Sequence, residues 1–209
     1  MDPDQAPSPA AEPPAGSDPA IPTRSASPTL APPSLGPPPL AAASLAPASL
    51  APTSLSVVDL NAGDTGTVRA VIAGLSAESR YRRFQSSRPT PPSTVLRQLA
   101  AAPSADRCTH VALLDGAPVG LVHWYRLPGS RDAEVACEVV DAAQHRGIGK
   151  ALLRQAALSA AERGIEAFVA HLWVGDTRLF RRARAAGAVP DRSEPGRVRL
   201  PVEAAAAVR

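Results

Sequence analysis

Asp141-Ala142-Ala143-Gln144-His145-Arg146-Gly147-Ile148-Gly149-Lys150-Ala151-Leu152 is the stretch on which the reading of this chain turns. An apolar, strand-like run ends before it, two glycines turn the backbone, and an Ala-Leu-rich amphipathic run follows. Such a junction is an anion cradle. The bare NH groups of a helix's first turn and the positive end of its dipole attract phosphate, and glycine lets a bulky anion approach the backbone. Arg146 and Lys150 add mobile positive charge on either side. The expected ligand class is nucleotide-like or a pyrophosphate.

Two rival glycine motifs fail on the same residues. Gly147-Ile148-Gly149-Lys150-Ala151-Leu152 has no third glycine of a dinucleotide fingerprint and no Gly-Lys-Ser/Thr ending of a P-loop. The strand before it also belongs to hairpins rather than to a parallel α/β unit. Thr109 to Leu114, Val119 to Leu127 and Ala133 to Val140 read as strands joined by Asp115-Gly116 and Pro128-Gly129 turns, an antiparallel meander.

Downstream of the glycines, Ile148, Ala151, Leu152, Ala156 and Ser159 recur at helical spacing up to about Arg163, and Gly164 fits a C-cap. A strand from Ala167 to Val174, a helix from Thr177 to Ala186 closed by Gly187, and a half-exposed strand from Arg197 to Val202 complete the order. Upstream, Val57 to Leu60 is a first strand, followed by a helix through about Ala73. A second helix is opened by Ser76 with Tyr81 and Phe84 as its apolar points, and a third runs from Ser93 through Ala101.

Residues 1–55 are of another kind, almost all Pro, Ala, Ser, Leu and Thr, with Leu30, Leu35, Leu40, Leu45, Leu50 and Leu55 five residues apart. That period matches neither helix nor strand, and proline removes backbone donors throughout, so a disordered tail is expected before a compact domain over 56–209. The tail reads as a tether or a Pro-rich recognition arm.

The formal charge of +3 conceals an asymmetry: Asp2, Asp4, Glu12 and Asp18 face only Arg24 in the tail, a net −3, which leaves +6 on the domain. An anionic cofactor or an acidic partner surface fits that balance, as do solvated Arg-rich helix faces. Nucleic-acid binding is disfavoured because the basic residues are spread out and aromatics make up only 3%. Cys108 and Cys137 lack zinc-site or CxxC spacing and read as buried free thiols, so no metal is expected. No apolar run reaches membrane-spanning length and the N-terminus lacks a signal-peptide pattern, so a soluble, cytoplasmic protein is expected.

The element order, with Gln144-x-x-Gly147-x-Gly149 at the strand–helix hinge, resembles the GNAT superfamily of acetyl-CoA-dependent N-acetyltransferases over about Ser56 to Val202. The resemblance implies a mixed α/β fold, a mostly antiparallel sheet flanked by helices. It implies that the backbone around Val139, Val140 and Asp141 pairs with the pantetheine arm. The diphosphate would be held by NH groups among Gln144, His145, Arg146, Gly147, Ile148, Gly149 and Lys150. A bulge splaying this strand from the next would make the thioester wedge. An oxyanion NH is expected near Val139 or Val140.

Ala133-Glu134-Val135-Ala136 looks like the stretch where several members carry a catalytic glutamate, so Glu134 is the candidate base. Glu138, four residues on along the strand, shares its face and is the second candidate. His123 and His171 lie in strands, where packing or hydrogen bonding is the commoner role; His145 reads as solvated, and His110 shows no partner.

Two positions depart from the pattern. Asp176 stands where many members have an asparagine near the cofactor, and Phe180 cannot donate the proton that a tyrosine gives the leaving thiolate. Leu75-Ser76-Ala77-Glu78-Ser79-Arg80-Tyr81-Arg82-Arg83-Phe84 also looks like the acceptor-side stretch of Pat-type bacterial protein-lysine acetyltransferases. The expected activity is acetyl transfer from acetyl-CoA to an amine-bearing protein or small molecule by direct attack in a ternary complex. A catalytically silent acyl-CoA-binding module tethered by the tail is the alternative. The sequence leaves the acceptor and the oligomeric state open.

Overall fold

The computed structural model describes residues 54–86 and 88–208. The expected tail therefore lies outside the described residues, except that Leu55, the last leucine of the repeat, opens the first strand.

Seven strands form one sheet: β1 (Leu55–Asp59), β2 (Arg107–Leu114), β3 (Ala117–Arg126), β4 (Asp132–Val139), β5 (Ala167–His171), β6 (Val189–Pro190) and β7 (Arg197–Pro201). Their order across the sheet is β1-β2-β3-β4-β5-β7-β6, antiparallel everywhere except between β4 and β5. The expected meander is β2–β3–β4. Asp115 and Gly116 turn its first hairpin at positive φ, and Gly129 does so at the second.

The sheet has a core on each face. On one face α4 (Ile148–Ala161) crosses β1 to β4, and α6 (Val202–Ala206) packs beside it. Ala156, Ala157 and Ala160 are wholly buried in α4, and their small side chains bring it close to Trp124 and Phe168. On the other face α1 (Thr65–Ala73) and α3 (Ser93–Leu99) bury Val68, Val71, Ile72, Leu96 and Leu99 against Val111 and Leu121. Between them α2 (Ala77–Phe84) buries none of its residues fully. After β5 comes α5 (Thr177–Ala185). Among the described residues, no helix is long and apolar enough to cross a membrane.

Several expectations are corrected. β5 ends at His171, because Leu172 to Val174 turn away from the sheet, leaving Trp173 and Val174 exposed. β6 and α6 were not anticipated: two residues are too few for a period, and the run Glu203 to Val208 carries almost no polar alternation. The third helix has Pro92 at its cap position, with no side-chain bond, and ends at Leu99. Ser76 does cap α2, accepting from the Ser79 NH at 3.1 Å. Tyr81, expected inward, is 45% exposed and meets Trp173 edge-on at 6.1 Å between ring centroids; only Phe84 turns toward the core.

Candidate active site

The sheet opens at β4. Its parallel ladder with β5 consists of Asp132↔Ala167, Ala133↔Phe168 and Glu134↔Val169, and it ends there. Beyond Glu134, β4 keeps β3 as its neighbour as far as Val139, while β5 continues beside β7 alone. The result is a wedge whose crotch is Glu134 and whose open edge runs to Val139, about 17 Å away at the usual rise of a strand. The expected bulge on β4 is absent: its register with β3 is unbroken from Gly120↔Val139 to Arg126↔Ala133. The one shift recorded in this meander lies between Ala112 and Leu113 in β2. Loss of the β5 partner, rather than a bulge, makes the gap.

Which backbone groups face the gap follows from the antiparallel alternation. The Val140 NH donates to the Val119 carbonyl at 2.9 Å, so even-numbered residues of β4 turn their NH and C=O toward β3. Odd-numbered residues turn theirs toward β5, and the bond from the Glu166 NH to the Arg131 carbonyl at 2.7 Å agrees. Cys137 and the Val139 NH therefore face the wedge; the Val139 carbonyl is already taken by Gln144 Nε2 at 3.1 Å. This corrects two expectations. Val140 is committed to β3, and the Asp141 NH donates to the Gly74 carbonyl at 3.3 Å, so neither backbone is open to a ligand. Cys137 is exposed rather than buried because it lies on the stretch that β5 has left.

At the mouth of the wedge the chain makes a 3-10 turn over Asp141–Ala143, passes His145 at φ 63° and Gly147 at φ 83°, and enters α4. Both left-handed residues direct successive NH groups into one concavity. Among the described residues, no acceptor meets the NH groups from His145 to Gly149. Gln144 holds the turn through its bond to Val139, while His145, Arg146 and Lys150 are exposed around it. Gly149 lies above Val139, and Ile148 is buried as the pin of the first turn. A second glycine fixes the helix over this mouth: a Cβ on Gly120 would come within 2.9 Å of the Glu138 carbonyl and 3.0 Å of Leu152 Cδ1.

Gly147→Val places a β-branched residue at a left-handed position, a cost of about 1–2 kcal/mol or more. Helix unwinding there should weaken coenzyme A binding at least tenfold. Calorimetric titration of the folded variant checks this, and unchanged affinity would remove the turn from the site.

Asp141 has a role that the sequence did not reveal. Its carboxylate accepts from the Ser76 NH at 2.8 Å and from Ser79 Oγ at 3.0 Å, fastening the start of α2 to the end of β4. Partial burial pulls its pKa up, but the bonds from Ser76 and Ser79 outweigh that and hold it below 3.8. Asp141→Ala should cost about 1 kcal/mol, discounted because the group is exposed. The stabilisation is present above the ordinary carboxylate pKa and fades as pH falls through the lowered one. Urea titrations of both proteins at neutral and acid pH should show the difference shrink on acidification.

Glu134 and Glu138 share a face of β4, as expected, but their surroundings differ. Glu134 is exposed at the crotch, opposite Tyr125. The Glu138 side chain is only 2% exposed; its Oε2 accepts from Arg83 Nε at 3.0 Å, and Arg83 Nη2 lies 2.8 Å from His123 Nε2. Burial pushes the Glu138 carboxyl up, with the Arg83 charge and hydrogen bond opposing. Burial, aided by the Arg83 charge, pushes His123 down to about 3, so the imidazole is neutral near pH 7. Because guanidinium only donates, His123 Nε2 must accept, and the ring proton is on Nδ1. His123 Nδ1 and Glu138 Oε1 have no partner among the described residues. Arg83 was missed because the run Arg80, Arg82 and Arg83 reads as a solvated helix face.

Asp176 caps α5, accepting from the Leu179 NH at 2.9 Å, and lies 3.5 Å from Arg82 Nη1. Phe180 packs against the core.

An antiparallel meander, a parallel pair that splays after three rungs and a glycine-opened helix at the mouth together match the GNAT acetyltransferase fold. The chain belongs to the acetyltransferase (GNAT) family, whose sequence model matches residues 75–184. The GNAT domain of S. lividans PAT is 29% identical, with a TM-score of 0.63 over 69% of this chain and 88% of that one. YncA from Salmonella typhimurium, solved with acetyl-CoA, is 15% identical, with a TM-score of 0.55 over 71% of this chain and 94% of that one. PaiA N-acetyltransferase from Thermoplasma acidophilum, solved in complex with coenzyme A, is 18% identical, with a TM-score of 0.52 over 71% and 99%. The last two share the fold alone. No curated protein sequence matches this chain.

Proposed function

We propose that this protein transfers the acetyl group of acetyl-CoA to a primary amine by direct attack in a ternary complex, with Glu134 as general base. The observation that carries the reading is the wedge that closes at Glu134↔Val169 and opens beneath the N-terminus of α4. The NH groups from His145 to Gly149 would grip the diphosphate, aided by Arg146 and Lys150. The pantetheine arm would lie along β4 as an added strand, paired with Cys137 and the Val139 NH. The thioester then arrives toward the crotch, where the Cys137 NH, the nearer of those two wedge-facing donors, would meet the oxyanion.

Glu134 is exposed on the opposite side of the strand from α4, where an acceptor amine approaches. It removes a proton from the ammonium, the free amine attacks the carbonyl carbon, and the tetrahedral intermediate gives its surplus N–H proton to water as it expels the CoA thiolate and collapses to the amide. Phe180 has no proton to give, so water protonates the thiolate, whose modest basicity makes this undemanding. Glu138 is proposed to act through position and charge: it is buried, bound to Arg83 and about 13 Å up the strand from Glu134. The likeness of Ser76 to Phe84 to the Pat-type stretch, with the similarity to the S. lividans PAT domain, favours a protein lysine as acceptor.

The test is acetyl-CoA consumption by the full chain with amines and lysine peptides, the products read by mass spectrometry. Asp176 is used as a helix cap and Phe180 is aprotic, and these two features favour the second reading, a silent acyl-CoA-binding module. Tight coenzyme A binding without turnover on any acceptor would establish that reading instead.

A further inference from the structure

A second cluster of chemically able side chains lies on the α4 side of the sheet, between β1 and β2. Cys108 and His110 alternate along β2 and so share a face, and Asp59 sits directly opposite His110 across the β1–β2 register. One donor atom from each of the three lies within 4.8 Å of the others. We propose that Asp59, Cys108 and His110 form a binding site for a divalent transition-metal ion, zinc by its donor set, at the β1 edge of the sheet.

The donors are a carboxylate, a thiolate and an imidazole, the mixture that zinc takes. An ion of charge +2 between one carboxylate and one thiolate leaves the pocket neutral. His110 and Cys108 are nearly inaccessible, whereas the Asp59 side chain is 62% exposed on an edge strand. A hydrated ion thus has an entry route, and water can supply the fourth ligand.

The neighbouring hydrogen bonds favour a cation at this point. Ser159 Oγ lies 2.8 Å from His110 Nε2, receives Trp124 Nε1–H at 3.0 Å, and reaches the Ala156 carbonyl at 3.0 Å. A hydroxyl has one proton and two lone pairs. All three contacts are satisfied together when Ser159 donates to Ala156 and accepts from both Trp124 and His110, which places the imidazole proton on Nε2. With the proton on Nε2, His110 Nδ1 turns a lone pair toward Asp59 Oδ1 at 2.7 Å and is the nitrogen a metal ion would take; in the other tautomer Nδ1–H donates to Asp59 and Ser159 donates to Nε2. The Ser159 bond is also the outer contact that orients a ligating histidine.

Tetrahedral zinc sets its donors about 3.3–3.8 Å apart, so the Asp59–His110 contact opens slightly and the thiol closes in, movements of about 1 Å in side chains alone. Binding releases the Cys108 thiol proton to solvent and leaves the neutral imidazole proton on Nε2. Burial and the Asp59 charge push the Cys108 thiol up in the metal-free protein, with Arg163, whose Nη1 donates to the Ser159 carbonyl at 2.7 Å, opposing.

The test uses the full chain, stripped with chelator and titrated with zinc against a chromophoric competitor, with bound metal counted by mass spectrometry. One equivalent should bind and raise the melting temperature, and cobalt should give a thiolate charge-transfer band. Asp59→Asn, which keeps the size of the side chain and a hydrogen-bonding oxygen toward His110, should weaken zinc binding more than tenfold, and Cys108→Ser should abolish the cobalt band. Ser159→Ala should weaken binding about 10–100-fold. Cys137→Ser, at the other thiol, should leave the zinc affinity and the cobalt band unchanged. The proposal is overturned if the wild-type chain binds no zinc, or if folded Asp59→Asn binds it as tightly as wild type.

Discussion

Glu134→Gln should lower kcat by about 10²–10⁴ while leaving the coenzyme A dissociation constant within twofold of wild type. The glutamine keeps the size and hydrogen bonding of the carboxylate at the crotch but cannot take a proton. Because the side chain is exposed and makes no ion pair among the described residues, the variant should melt with wild type. Steady-state kinetics across pH and a coenzyme A titration decide the matter. Unchanged turnover would place the base elsewhere, and a parallel loss of coenzyme A affinity would make Glu134 a binding residue.

Arg83→Ala should cost about 3–5 kcal/mol of stability, because it leaves the Glu138 carboxylate buried without its counter-ion and His123 Nε2 without a donor. The loss should depend on pH with a definite sign. Burial already raises the folded pKa of Glu138 above 4.5, and Arg83 is what opposes the rise. Without Arg83 the native state holds its proton to a higher pH than the unfolded chain does. The variant is then least penalised below the unfolded pKa, and stability drains away as pH rises through the folded one. The gap between variant and wild type should be widest near neutrality and narrow toward pH 4.5. Replacing both partners, Arg83→Met with Glu138→Leu, should cost less than Arg83→Ala alone. Urea unfolding at three pH values would show this, and a pH-independent deficit would rule out the buried charge as its origin.

The legible parts of this chain were those fixed by local chemistry. The Asp-Gly and Pro-Gly turns gave the meander, the glycine pair gave the hinge from β4 into α4, and Ser76 gave the start of α2. What stayed hidden depended on partners distant in sequence. His110 seemed solitary because Asp59 and Ser159 are 51 and 49 residues away, and Arg83 meets Glu138 across 55. Asp141 read as part of the cradle, yet its carboxylate is used 65 residues upstream, at Ser76. The wedge was inferable only through resemblance, since no local signal marks where a strand loses its neighbour. The bulge expected in its place was wrong for the same reason.

Helix α2 touches both banks of the gap between β4 and β5. Arg83 is tied to Glu138 on one bank, while Tyr81 and Arg82 reach Trp173 and Asp176 on the other. A beam pinned at both sides of a slot works as a spacer, and the slot's width becomes a property of the beam. Substitutions on its outer surface, far from any reacting atom, would then retune the opening itself, and two enzymes with identical reacting groups can differ in what they admit.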